Sequence, residues 1–143
     1  MLPGGAIWAA DYQGGGATDL WAPDVSFHRG IYWLCSSVSS FGSHQSAIEL
    51  ATSRTAAPGS WTDQGLVYAW HDAAHSPTGV ADDFNAIDPG LLVDAQGRWQ
   101  LSVGSFWTGI KMIQPDPATG KPSSATTTRF PLAERPGVQY DPI

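Results

Sequence analysis

The 143-residue chain sets seven Lys and Arg against thirteen Asp and Glu, a formal net charge of −6, and only 14% of its residues are charged while seven are Trp. That length suits one domain or a piece of one, and a composition this apolar is that of a folding chain and not of an acidic disordered tail. The acid excess leaves no basic stripe to neutralise phosphates, which excludes nucleic acid and anionic membrane surfaces as partners.

In chain order, the opening segment MLPGGAIWAADYQ has neither a basic stretch nor a clean apolar run, so no export signal is expected from it. No later stretch approaches the ~18 apolar residues of a membrane-spanning helix. Beyond it, apolar residues recur at period two, with β-branched and aromatic residues in runs bounded by Gly, Pro, Asp and Ser. The pattern predicts strands over Asp24–His28, Ile31–Ser37, Ser46–Thr52, Gly65–Ala69, Gly90–Val93, Trp99–Val103 and Gly109–Ile113, with an eighth over Thr126–Phe130. Turns at His28-Arg29-Gly30, Asp94-Ala95-Gln96-Gly97 and Asp116 to Lys121 place Gly where a hairpin needs positive φ. The fold class is therefore all-β, in meandering antiparallel sheets. Cys35 is the only cysteine, which rules out an intrachain disulfide, and its place in the run IYWLC marks a buried, inert thiol.

An internal repeat narrows the architecture. The segment from Ala22 to Leu34 is echoed by that from Ile87 to Leu101, each reading acid, strand, Gly turn, aromatic strand. Both copies run on into Ser-Phe, at Ser40-Phe41 and Ser105-Phe106. A repeat of this length holds about four strands and a long excursion, as a propeller blade does. The blade-like units fall at about residues 19–70 and 85–130 within one truncated domain spanning 1–143. Two blades alone leave open edges, so self-association into a homo-oligomer is expected.

At this point the sequence resembles the five-bladed β-propellers of glycoside hydrolase family 43, and within it the endo-1,5-α-L-arabinanases. The resemblance is carried by Trp21-Ala22-Pro23-Asp24, by the stretch from Ser37 to Ile48 containing Ser40-Phe41-Gly42-Ser43, by Asn85-Ala86-Ile87-Asp88-Pro89, and by Gly104-Ser105-Phe106-Trp107-Thr108-Gly109-Ile110. These motifs stand in the family's order and cover about its second and third blades. The resemblance implies a partial five-bladed propeller and an inverting hydrolysis of α-1,5-arabinan or arabino-oligosaccharides, with xylan and arabinoxylan as rival substrates. It also implies an extracellular setting. In such enzymes a general base and a general acid share the work, and a third carboxylate tunes the acid; the match assigns that third role to Asp88.

The departures from the family are equally specific. The family's base lies in a His-Asp-Pro-like segment that has no counterpart before Trp21, where Asp11 is the only earlier acid. Its acid follows a Pro-Ile pair, here Pro142-Ile143, and Glu134 lacks the right neighbours. Base and acid are therefore expected to be absent and the single chain inactive. The histidine region that holds a channel ion in the family has no counterpart either, so no cofactor or retained ion is expected.

Around Asp88 the resemblance places a substrate-binding set: Trp21, Phe41 and Trp107 as aromatic surfaces for the apolar face of a sugar, Asn85 holding the Asp88 loop, and Asp24, Gly42 and Ser105 along the cleft, with a strand cap as the favoured alternative for Asp24. Trp33, Trp61 and Trp99, at strand positions, read as core. Other chemistries fail on spacing. His71-Asp72-Ala73-Ala74-His75 lacks the Glu and the helix of a zinc protease, so it reads as a loop. Thr119-Gly120-Lys121-Pro122 lacks the upstream Gly of a phosphate loop, and Asp82-Asp83 reads as a solvated turn without metal-binding spacing. A purely sugar-binding or structural role without catalysis is the alternative to an enzyme segment.

Overall fold

The computed structural model describes residues 19–41, 45–76, 79–123 and 128–135. Ten strands and no helix form among them: β1 (Leu20–His28), β2 (Ile31–Ser39), β3 (Ser46–Ser53), β4 (Thr62–Ala69), β5 (Gly90–Val93), β6 (Trp99–Val103), β7 (Ile110–Ile113), β8 (Pro115–Asp116), β9 (Lys121–Pro122) and β10 (Phe130–Ala133). They build a four-stranded sheet in the order β1-β2-β3-β4, a second in the order β10-β7-β6-β5, and a two-stranded ribbon of β8 and β9. Every pairing is antiparallel. The two blades expected from the repeat are thus present, with β1 and β5 as corresponding first strands.

The ends of β2, β3 and β7 shift by one or two residues from the sequence reading and β8 and β9 flank the expected Asp116 to Lys121 turn, while the larger differences, at β1, β4 and the last strand, each have a physical reason. β1 begins at Leu20 because Ala22-Pro23 is a bulge: Trp21 pairs with Ser37 and Asp24 with Cys35, three steps on one strand against two on the other. A bulge is where a strand tolerates Pro, and Ala22 takes φ 44° there. β4 begins at Thr62 because Gly65, read as a strand boundary, is itself a bulge with φ 78°, its N–H bonded to Asp63 Oδ1 at 2.6 Å. The last strand lies at Phe130–Ala133, not Thr126–Phe130; Pro131 is accommodated because β10 is an edge strand. Residues 126 and 127 of that expected strand lie outside the described residues.

The core sits between the two sheets. Trp33, Cys35, Ile48, Leu50 and Tyr68 from the first blade meet Leu91, Trp99, Leu101 and Ile113 from the second, with Phe84 and Ala86 of the connecting segment between them. Trp33 and Trp99 meet edge-to-face at 4.7 Å, a favoured quadrupolar geometry, and both are buried as their strand positions imply. Trp61 is only half-buried. The β8–β9 ribbon closes the lower end of this core: Gly120 is buried against Trp33 and Leu50 so tightly that a Cβ there would lie 2.8 Å from each.

Candidate functional site

One end of the molecule collects the start of β1, the end of β2, the starts of β3 and β5 and the β6–β7 loop, and so brings the motifs around Trp21, Asp88 and Gly104 to one end of the two blades. Its centre is the segment 83–91, strung between the sheets by its own backbone. Three of its N–H groups donate to side chains of the first blade: Ala86 to Ser46 Oγ at 2.9 Å, Asp88 to Ser37 Oγ at 2.9 Å and Leu91 to Asp24 Oδ2 at 2.9 Å. Its carbonyls accept from the second blade: Ile87 O from Gly104 N at 2.8 Å, and Asp83 O from Thr108 N at 3.1 Å and Thr108 Oγ1 at 2.7 Å. A loop whose polar backbone groups are satisfied from both sides is fixed in place, as a site needs.

The bulge in β1 has a consequence at this site. Because Trp21 and Asp24 pair with Ser37 and Cys35, which are two residues apart on β2, both project from the face of sheet one that looks toward the second blade. Without the extra residue they would lie on opposite faces. Trp21 therefore sits across the ladder from Ser37, the residue that holds Asp88. Asp24 is committed to tying β1 to β5 through Leu91, a structural bond between blades.

Asp88 itself takes φ 53°, in the left-handed region that a side chain disfavours, and its carboxyl opens to solvent. Partial burial alone pushes its pKa up from the ordinary aspartate value. Phe106 and Trp107 also take left-handed φ, at 57° and 48°. With Ala22 in the β1 bulge, four strained non-glycine residues thus meet at this end, the pattern expected of a functional site. Gly104 cannot carry a side chain in this loop, because a Cβ there would lie 2.5 Å from the Gly109 carbonyl. Lys111 is buried and donates from Nζ to Thr108 O at 2.8 Å, bracing the same loop from below.

Of the sequence-derived set, Asn85, Ser105, Trp107, Trp21 and Asp88 are gathered around this segment and the adjoining loop. Asn85 is 9% exposed, and its Oδ1 has no hydrogen-bond partner, an acceptor held out of water. Phe41 stands in solvent at 89% exposure, and Gly42 lies outside the described residues. Phe106, 59% exposed on the same loop as Trp107, joins the candidate residues on structural grounds, and its signal in the sequence is the aromatic pair Phe106-Trp107 between Gly104 and Gly109. Among the described residues no three His, Cys, Asp or Glu side chains come together as metal ligands.

One reading is corrected outright. Asp82 does not lie in the solvated turn that the sequence predicts: its carboxylate is 1% exposed and accepts from Tyr68 Oη at 2.9 Å, from His71 N at 3.0 Å and from Arg129. A pair of adjacent acids carries no signal for this, because the partners lie 11, 14 and 47 residues away.

Fold and site together define two blades of a β-propeller whose interblade loop presents a carboxylate, exposed aromatics and a buried amide at one end. The family model of the glycosyl hydrolases family 43 matches residues 6–140, and the chain belongs to that family. It is 41% identical over 129 residues to the extracellular endo-α-(1→5)-L-arabinanase 1 of Bacillus subtilis, covering 90% of this chain and 36% of the relative. It is 40% identical over 146 residues to the arabinan endo-1,5-α-L-arabinosidase A of Aspergillus niger, covering 99% of this chain and 38% of the relative. The native arabinanase structure of B. subtilis superposes with a TM-score of 0.81 at 39% identity over 94% of this chain and 42% of its own. The α-L-arabinanase of Cellvibrio cellulosa complexed with arabinohexaose gives 0.76 at 31% identity, over 90% and 39%. The architecture is accordingly part of a five-bladed propeller, and the chain spans well under half the length of these relatives.

Proposed function

We propose that this chain is the arabinan-recognising, second-and-third-blade segment of an inverting glycosidase, with Asp88 as the carboxylate that tunes a general acid. The observation that carries the reading is the fixing of the Asp88 backbone by Ser37 across the blade interface, beside an unpartnered Asn85 Oδ1. An inverting reaction needs a base and an acid about 6.5–9.5 Å apart with water between, and a nearby negative charge keeps the acid protonated. Asp88 supplies that charge once ionised; its raised pKa delays ionisation, so its effect grows as pH rises through the raised value. Asn85, its Oδ1 buried, holds the loop and does not meet the sugar, while Trp21, Phe106 and Trp107 offer flat apolar surfaces to the C–H face of the ring.

One carboxylate cannot act as base, acid and tuner together, so the 143-residue chain binds arabino-oligosaccharides without hydrolysing them. The test is a titration of arabinotriose followed by tryptophan fluorescence, with a reducing-end assay on the same samples. Saturable binding that is lost in Asp88→Ala, without product, is the expected result. Release of reducing ends overturns the inactive reading, and absence of any saturable change overturns the sugar site and leaves a structural segment.

Self-association belongs to the same proposal. Val25 and Phe27, 52% and 56% exposed, alternate on the face of β1 turned away from the second blade, and Phe130 and Leu132 lie exposed on edge strand β10. These apolar surfaces are covered by further copies of the chain. Light scattering on a sizing column reads a discrete oligomer if so, and a monomeric, folded chain overturns it.

A further inference from the structure

At the end of the first blade remote from Asp88 lies a cleft of about 440 Å³, lined by Ile31, Thr52, Ser53, Arg54, Thr55, Ser60, Thr62 and Gln64. The β3 strand separates the two places: Ser46 at its start holds the Asp88 segment, and Ser53 at its end lines the cleft, about 20 Å away. The volume falls within the range of small-molecule sites. Its chemistry differs from that of the Asp88 end, with six hydroxyl or amide side chains, one apolar contact and one cation.

We propose that this cleft binds a uronic-acid-bearing oligosaccharide, with Arg54 receiving the carboxylate and the hydroxyl wall receiving the ring. Three observations carry it. First, Arg54 is exposed and makes no hydrogen bond or ion pair among the described residues, whereas Arg98 and Arg129 each have an aspartate. A guanidinium fork matches a carboxylate in geometry and charge. Second, strand alternation keeps negative charge out: Thr62 and Gln64 line the cleft, with Gln64 Nε2 bonded to Thr52 Oγ1 at 2.9 Å, while Asp63 between them turns to the other face and binds Gly65 N.

Third, the wall is held in shape before any ligand arrives. Ser53 Oγ meets Ser60 Oγ at 2.6 Å and accepts from Thr55 N at 3.1 Å and Ala56 N at 3.0 Å, which fixes the loop through a left-handed Ala56. A preformed wall spares the ligand the cost of ordering it. A single cation in a chain of net charge −6 suits one carboxylate per sugar better than a phosphate, whose higher charge calls for several donors.

The experiment is an amide-shift titration by NMR of the labelled chain with trigalacturonate, arabinotriose and sodium acetate in parallel. Trigalacturonate should shift the amides of Thr52 to Gln64 saturably, with a Kd of about 1 mM, while the other two leave them in place. Arg54→Gln should weaken the binding about tenfold, and Thr62→Val by a smaller factor; both positions are exposed, so the fold survives. Equal shifts with acetate reduce the cleft to an ion site, and equal shifts with arabinotriose remove the charge recognition; either overturns the proposal. So does a complete absence of shifts, or an affinity unchanged in Arg54→Gln.

Discussion

Arg129, one residue before the outermost strand of the second blade, reaches 47 residues back along the chain to place its guanidinium on the buried Asp82 carboxylate. The same guanidinium bonds Tyr68 Oη at the end of β4 and lies 5.9 Å from the Phe84 ring centroid. Outer strands of both blades and the connecting segment therefore share one ionic node. Removing one partner of such a pair strands a charge that water cannot reach. Arg129→Met is expected to cost about 3 kcal/mol or more in urea unfolding. Asp82→Asn in the same background should recover part of that loss, because the uncompensated charge is then gone. Additive losses in the double variant would show that the pair is not coupled.

Glu49 presents the opposite case, a buried carboxylate with too few partners. It is 4% exposed, Ser36 Oγ donates to its Oε1 at 2.5 Å, and its Oε2 has no partner. Burial pushes its pKa up, outweighing the Ser36 bond that lowers it. The native state therefore holds the proton more tightly than the unfolded chain. Relative stability is full below the ordinary glutamate range and falls as pH rises through the raised pKa. Glu49→Gln is expected to stabilise the chain at pH ~7 by about 1 kcal/mol, a few degrees in Tm, and to be neutral near pH ~3. Melting curves at the two pH values check the sign; a gain confined to acid would refute it.

Cys35 offers a chemical reporter of the same interior. Burial first, then the charges of Asp24 and Glu49, push its thiol pKa up to about 12. The reactive thiolate is therefore scarce at neutral pH, and the 2% exposed side chain is also out of reach. Iodoacetamide should label the native chain at the rate of global opening, and at the free-thiol rate only in denaturant. Fast labelling of the native chain would place Cys35 in a region that opens on its own.

The antiparallel meander, the two-blade repeat and the burial of Trp33, Cys35 and Trp99 were readable from the sequence because they rest on local alternation. Gly90–Val93 and Trp99–Val103 come out to the residue. What escaped depends on distant partners or on backbone phase. The Ala22-Pro23 bulge reads as a break in pattern, yet it rotates Trp21 onto the face of Asp24. Asp82 looks like any turn aspartate until Tyr68, His71 and Arg129 are folded around it. At the site, the motif around Asp88 named the loop, but the left-handed backbone of Phe106 and Trp107 has no signature in residue type, since side chains disfavour it.

Gly120 tests how the lower end of the core is closed. Its φ is +71°, and a Cβ there would lie 2.8 Å from Leu50 Cδ2 and 2.8 Å from Trp33 Cζ3. Both neighbours are core side chains with little room to move. Gly120→Ala combines a left-handed backbone cost with overpacking, together about 3 kcal/mol. Gly97→Ala is the control, because its φ of +77° is similar but nothing lies within 4 Å of its Cβ. Comparable losses in the two variants would assign the effect to backbone alone and leave the packing of the β8–β9 ribbon against Trp33 without energetic weight.

Ser37 links stability to the proposed sugar site. It is wholly buried, and its Oγ accepts the N–H of Asp88 at 2.9 Å. Ser37→Ala leaves that N–H without its acceptor on a residue already in a disfavoured conformation, so the loop should relax toward an ordinary φ and carry the carboxylate with it. The expected cost in stability is about 1 kcal/mol, while arabinotriose affinity should drop about as far as in Asp88→Ala. Ser36→Ala serves as the comparison, since it removes a buried hydrogen bond, to Glu49 Oε1 at 2.5 Å, on the opposite face of β2 from Ser37. That variant should lose similar stability and keep its affinity. If both variants lose affinity alike, the Ser37 effect is global destabilisation and not the positioning of Asp88.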